Sequence, residues 1–297
     1  MDSQMTKLGT SLLVPSVHEL AKQPMTKVPE RYVRLNQDPV VSDTISLPQV
    51  PVIDLNKLFS EDGTELINHG VNPLLVQNVK IGVQEFFGLQ MEEKRKLWQK
   101  QGELEGNDLE SYSLELGKLS IAIIKLISKA LEINTNELLE LFEDLSQSMR
   151  MNCYPPCPQP EHVIGLNPHS DAGALTILLQ VNEMEGLQIR KDGMWIPIKP
   201  LSNAFVINVG DILEILTNGI YRSVEHRATI NAEKERISIA TFHRPQMNRI
   251  VGPTPSLVTP ERPALFKRIG VADYYRGYFS RELRGKSYID VIKIKNT

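Results

Sequence analysis

The sequence predicts an α+β chain with a jelly-roll core and flanking helices, and three observations carry that reading. Apolar residues recur at helical spacing through the first half. Short β-prone runs separated by turn signals fill the second half, the texture of a sandwich or jelly roll. The 297 residues suffice for one large core, and an all-β barrel elaborated with helices uses that length as a single domain.

Residues 1–50 read as an extended arm with one short helix around Ser16 to Lys22, and Pro51-Val-Ile-Asp-Leu55 as a buried strand. Val76, Val79, Val83, Phe86 and Phe87 then mark one helical stripe, and Leu116, Leu119, Ile123, Leu126, Ile127 and Ala130 a longer one; both should face a core. Asn134 followed three residues on by Glu137 reads as a capping-box-like start of a third helix. Strands are expected at Thr176–Gln180, Leu187–Arg190, Met194–Ile198, Ala204–Asn208, Ile212–Leu216, Arg222–Ile230 and Arg236–Phe242, punctuated by Lys-Asp-Gly, Val-Gly-Asp and Thr-Asn-Gly turns. A last helix is expected over Ala264–Phe279, packed outside the barrel. The chain thus divides into an N-terminal arm and helical region (1–150), a jelly-roll core (151–250) and a C-terminal helical extension (251–297).

Charge excludes several classes of partner. The formal net charge is −3, without blocks of like charge, which argues against nucleic acid or an anionic membrane. The most apolar stretch, Leu119 to Leu131, is broken by Lys125 and Lys129, so no membrane span is expected. No secretory signal is expected from the N-terminal residues, which have neither a long apolar run nor a small-residue cleavage site. Two cysteines, Cys153 and Cys157, cannot build a disulfide framework and are expected as free thiols. A cytoplasmic monomer acting on a small molecule is the resulting expectation.

The chemistry is expected at His169, Asp171 and His226. His169 and Asp171 lie two apart, so from a strand or its end both reach one metal. Two imidazoles and a carboxylate form the ligand set that holds ferrous iron and leaves positions open for substrate and oxygen. A hairpin over Tyr221–Phe242 would pair Ile230 with Arg236, Ala228 with Ser238 and His226 with Ala240, giving His226, Arg236 and Ser238 a shared face. An arginine buried there needs a carboxylate partner, and no acidic residue lies at matching parity nearby. A dicarboxylic ligand would supply one, gripped by Arg236 and Ser238 at one end and chelating the metal at the other.

Asn152-Cys-Tyr-Pro-Pro-Cys157, Pro168-His-Ser-Asp171, Asn208-Val-Gly-Asp211, Val224-Glu-His-Arg227 and Arg236-Ile-Ser238 together resemble the plant 2-oxoglutarate and Fe(II)-dependent dioxygenases. The texture is most similar to the senescence-related subgroup that includes the poppy alkaloid O-demethylases. The resemblance implies a double-stranded β-helix in which His169, Asp171 and His226 bind iron and Arg236 and Ser238 bind the C5 carboxylate of 2-oxoglutarate. It implies that Asn152 and Tyr154 contact this cosubstrate, with Cys153 replacing a Tyr whose side chain faces away. Phe242 would line the pocket wall. The implied chemistry uses O2, with ascorbate as reductant, and releases succinate and CO2 as a small specialised metabolite is hydroxylated or O-demethylated.

Two stretches that such relatives carry are missing, before Leu66-Ile-Asn-His-Gly70 and after Leu104-Glu-Gly106. The first loss removes a strand, the second a cover of the substrate mouth. Two other readings follow: a truncated, catalytically weak or silent variant that still binds metal and 2-oxoglutarate, and an ascorbate-dependent oxidase of the same family.

Overall fold

The computed structural model describes residues 16–23, 25–34, 50–55, 69–96, 107–143 and 146–295. Eight strands form two four-stranded antiparallel sheets. In chain order they are β1 (Ser146–Tyr154), β2 (Leu166–His169), β3 (Leu175–Gln180), β4 (Leu187–Lys191), β5 (Met194–Pro197), β6 (Phe205–Val209), β7 (His226–Ala228) and β8 (Arg236–Arg244). The sheet orders are β1-β8-β3-β6 and β2-β7-β4-β5. Apart from the hairpin β4–β5, successive strands thus alternate between two facing sheets, which is the double-stranded β-helix. A short pair, β9 (Ile250–Val251) and β10 (Ile269–Gly270), stands apart.

Strand periodicity sorts side chains to two faces. On β8, Ile237 and Ile239 join Val76, Val79 and Val83 of α2 (Pro73–Gly88) and Tyr112, Leu116 and Leu119 of α4 (Asn107–Ala130) in one buried cluster. Ala240 and Phe242 face the other way, toward Leu178, Leu187, Ile189 and Val206 between the sheets. Even-numbered β8 residues therefore point inside, and the helices cover the odd ones. The expected helical stripes hold: Asn72 caps α2 through the Leu74 amide, and Pro73 at its first position gives up no needed donor. Two other expected helices form as α1 (Val17–Ala21) and α5 (Thr135–Leu139), with α3 (Met91–Lys96) between α2 and α4.

Several expectations are corrected. Ile212–Leu216 is not a strand but lies in α6 (Asp211–Leu216), every residue of which is buried; a short apolar run does not distinguish strand from helix, and burial on all sides removes the period. Pro51–Leu55 is not a strand: it contains one bridge residue, Ile53, and Leu55 is helical. The run Arg222–Ile230 contributes only the three residues of β7. The helix expected over Ala264–Phe279 forms as α7 (Val271–Phe279), starting later because β10 occupies Ile269–Gly270, and a further short helix, Ile289–Ile292, follows it. Asn134 does cap α5, but Glu137 bonds Ser256 instead of closing a capping box.

Besides the short pair β9 and β10, two strands of the main sheets lie outside the expected runs. β1 is polar and poor in β-branched residues, and its extended form comes from nine paired positions along β8, which is tertiary context overriding propensity. β2 contains Pro168, which suits the edge position that β2 occupies in its sheet. The proposed hairpin is also wrong: β7 pairs with β2 and β4, whereas β8 pairs with β1 and β3. His226 faces His169 and Ile189, not Ala240. The shared interior survives because the two strands lie in opposite sheets whose inner faces meet.

Candidate active site

His169 ends β2, Asp171 follows two residues later, and His226 opens β7. The register of β2 on β7 shifts between Leu166 and His169, and that extra residue sets the two imidazoles opposite one another, 4.3 Å between ring centroids. Asp171 Oδ1 lies 3.5 Å from His169 Nε2 and 3.6 Å from His226 Nε2. All three ligand atoms fall within 4.8 Å of one another. Along β7 the alternation sends the neighbouring Arg227 outward, where it donates to Gln188 and stacks 4.2 Å over Trp195.

Each ligand side chain is aimed by a neighbour. The Asn167 carbonyl lies 2.7 Å from His169 Nδ1, and the Val224 carbonyl 3.2 Å from His226 Nδ1. Both contacts place the ring proton on Nδ1 and leave the Nε2 lone pairs directed at the gap. Asp171 Oδ2 accepts from Thr176 Oγ1 at 2.6 Å and Asn208 Nδ2 at 2.9 Å, leaving Oδ1 for the cluster. Burial would raise the Asp171 carboxyl, but His226, His169 and the Thr176 hydroxyl outweigh it and hold the group well below the usual carboxylate range. Burial lowers His226 despite the Asp171 charge. An anionic carboxylate is the protonation state that a divalent metal requires of this ligand.

Behind this end of the sheets, α6 braces the Asp171 turn. The Asp211 amide donates to the Asp171 carbonyl at 2.7 Å. The buried Asp211 carboxylate accepts from Ser223 at 2.6 Å and from Tyr274 at 2.7 Å, and Tyr278 donates to the Ser170 carbonyl at 2.6 Å.

Arg236 and Ser238 point into the same interior from β8, opposite Tyr154 and Asn152 of β1. Arg236 is 3% exposed, and among the described residues no carboxylate lies within ion-pair distance of it. Its guanidinium donates to Gln180 Oε1 at 3.1 Å and reaches Ser238 Oγ at 3.5 Å, while Nε has no partner. It lies 5.6 Å from the Tyr154 ring centroid. Gly186, with φ +156°, leaves room for it, since a Cβ there would meet Arg236 Cδ at 2.8 Å. Burial pulls the arginine pKa down, the mark of a cation without its counter-charge. Gln180 Nε2 is likewise buried and unpartnered. Unmet donors inside the barrel, together with the His-Asp-His cluster, fit a divalent metal and a dicarboxylate.

The structure thus gathers His169, Asp171 and His226 at one point and turns Asn152, Tyr154, Arg236 and Ser238 toward the same space. Cys153 faces the other side of β1, opposite Ile237, and Phe242 lies against the inner cluster. Sequence reasoning missed Thr176, Asn208, Gln180 and Tyr278, which orient the others. The register makes the first three legible in hindsight: Thr176 pairs with Asn208, and Gln180 with Ser238.

Comparison with known proteins identifies the family. Residues 145–245 match the family model of the 2OG-Fe(II) oxygenase superfamily. The chain is 42% identical to Protein SRG1 of Arabidopsis thaliana, covering 99% of this chain and 100% of that protein. It is 42% identical to codeine O-demethylase of Papaver somniferum, covering 97% of this chain and 98% of that one. The same identity links it to oxoglutarate-dependent flavonoid 7-O-demethylase 1 of Ocimum basilicum, over 97% and 93%. The crystal structure of JOX2 in complex with 2OG, Fe and JA superposes with a TM-score of 0.84 at 28% identity, covering 96% of this chain and 99% of that one. The alignment with Protein SRG1 runs over 358 positions against 297 residues here, so at least 61 positions have no counterpart in this chain. Both expected gaps, before Leu66 and after Gly106, adjoin residues outside the described ones. Full-length identity at this level, added to the metal and dicarboxylate geometry, leads to one conclusion: the chain belongs to the 2OG-Fe(II) oxygenase superfamily and is a 2-oxoglutarate-dependent dioxygenase by family.

Proposed function

We propose that the chain hydroxylates or O-demethylates a small specialised metabolite, with His169, Asp171 and His226 holding Fe(II) and Arg236 and Ser238 holding 2-oxoglutarate. The single observation that carries this reading is the buried Arg236 without a carboxylate, in the same inter-sheet space as the triad. When bound, iron and 2-oxoglutarate supply oxygen activation, yielding succinate and CO2 as one oxygen atom enters a substrate C–H bond. On an O-methyl carbon the resulting hemiacetal releases formaldehyde.

The residues of the chain orient and shield that chemistry. Thr176 and Asn208 keep Asp171 turned so that one oxygen remains for the metal, and the Asn167 and Val224 carbonyls hold the two imidazoles in the ligating tautomer. Arg236 takes the distal carboxylate with Ser238 adding a hydroxyl, and Asn152 and Tyr154 border the cosubstrate from β1. Leu178, Leu187, Ile189 and Ala240 exclude water between the sheets. In this reading residues 151–250 carry the metal and cosubstrate groups, 1–150 and 251–297 brace them, and the protein works as a cytoplasmic monomer with ascorbate as reductant. The demethylase relatives support the O-methyl option.

Succinate formation that depends on both Fe(II) and 2-oxoglutarate and disappears in His226→Ala is the expected result; activity persisting in that variant would refute the assignment. The 61 unmatched positions favour a second reading, a variant that binds metal and cosubstrate but turns over weakly. Stabilisation by Mn(II) and 2-oxoglutarate without oxidation of any methoxylated or hydroxylatable substrate would select it.

A further inference from the structure

Outside the active site a second group of metal-ligating side chains comes together among the described residues: His18 of α1, Cys153 of β1 and Glu235 in the turn before β8, with one ligand atom of each within 4.8 Å of the others. They come from three segments remote in sequence, so no local turn explains the meeting. Cys153 Sγ donates to Glu235 Oε2 at 3.6 Å. His18 Nδ1 is buried and makes no hydrogen bond; the adjacent Glu19 carboxylate is 3.7 Å away. Cys153 lies on the face of β1 away from Asn152 and Tyr154, so this cluster is separate from the active site.

We propose that His18, Cys153 and Glu235 bind a divalent ion of the zinc class, which fastens the N-terminal arm to the outer face of the jelly roll. One imidazole, one thiolate and one carboxylate match the donor types that borderline-soft ions take, with water completing a tetrahedron. Oxygen-only ligation by calcium or magnesium is excluded by the thiol and the imidazole. Binding breaks the Sγ–H bond, forms an Sγ–metal bond and releases the proton to solvent; the carboxylate keeps its charge.

A nucleophilic role for the thiol is disfavoured. Burial, and then the Glu235 charge, push Cys153 up to about 12, leaving a protonated sulfur with little reactivity. A bound dication reverses that balance, because a coordinating thiol is deprotonated outright. Lys94 is the cation on this side, and its ammonium is committed to the Phe87 carbonyl at 2.7 Å.

The test must separate this site from the His-Asp-His triad, which also takes divalent ions. Co(II) serves as the probe, because only a thiolate gives a sulfur-to-cobalt charge-transfer band and the triad has no sulfur. Titration of the full chain should produce that band, saturating by two equivalents per protein, since the triad takes up to one of them. The band should vanish in Cys153→Ser, persist in Cys157→Ser, and require at least about tenfold more Co(II) in His18→Ala or Glu235→Gln, since losing a ligand costs no less than losing an outer partner. Zn(II) should slow proteolysis in the arm around α1 in the wild type but not in His18→Ala, whose substitution leaves the core strands untouched. Absence of the band, its dependence on Cys157, or indifference to His18→Ala overturns the proposal.

Discussion

Arg236→Met separates a cosubstrate-binding arginine from a structural one, because the two roles predict opposite results in two measurements. In the free protein the guanidinium is buried with neutral partners, Gln180 at 3.1 Å and Ser238 at 3.5 Å. Replacing even a paired buried ion by apolar residues of similar volume is often neutral or stabilising by about 1–4 kcal/mol, and Arg236 has no carboxylate partner among the described residues. Loss of the Gln180 contact takes back about 1 kcal/mol. Stability of the ligand-free chain should therefore fall between a loss of about 1 kcal/mol and a gain of about 3 kcal/mol. Binding of 2-oxoglutarate loses two charge-assisted hydrogen bonds of about 1.5–3 kcal/mol each. That is a weakening of about 10²- to 10⁴-fold. Urea unfolding of the metal-free protein and calorimetric titration of 2-oxoglutarate into the Mn(II)-loaded protein read the two quantities. A variant that unfolds easily while binding 2-oxoglutarate as tightly as the wild type would refute the reasoning.

Three further predictions rest on neighbouring residues. Asn208→Ala removes the 2.9 Å hydrogen bond to Asp171 Oδ2 and should weaken Fe(II) or Mn(II) binding about 10- to 100-fold, measured by metal titration, while leaving the unfolding midpoint close to that of the wild type. His243 is buried on the helix side of β8 with neither ring nitrogen in a hydrogen bond of normal geometry, and burial lowers its pKa from 6.5 to about 4. The unfolded chain therefore binds the extra proton first, so stability falls with decreasing pH between about 6.5 and 4, by up to about 3 kcal/mol from this group. His243→Leu should flatten the pH dependence of urea unfolding in that window, and an unchanged slope would assign the loss to other groups. In Gly210→Ala the new Cβ would run into the Gly173 carbonyl and come within 3.0 Å of the Asp171 carbonyl. Neither backbone can yield without moving the turn that α6 braces, so a loss of several kcal/mol in stability and weakened metal binding should appear together.

Much of the site was legible because its chemistry demands particular residue types. A His-x-Asp pair, a distant His and an Arg-x-Ser pair are scarce as a set, and strand parity alone puts Arg236 and Ser238 on one face. Arg236 and Ser238 share the interior with His226 although no hairpin joins their strands, since β7 and β8 present inner faces from opposite sheets. Helices α2 and α4 were legible because one side of each meets a core and the other meets solvent, so their apolar residues keep the helical period. Segment 212–216 was not, because full burial erases that contrast.

By itself, then, the sequence singled out the side chains proposed to hold the metal and the amphipathic helices α2 and α4, since both follow from residue identity and local period. Which sheet each strand joins, the shifted register that sets His169 against His226, and the bonds from Thr176 and Asn208 that turn Asp171 were decided only in three dimensions. Pairing partners are chosen by contacts between residues far apart in the chain, and no local pattern records them. The same holds for the meeting of His18, Cys153 and Glu235, residues that stand in three unrelated segments until the barrel closes.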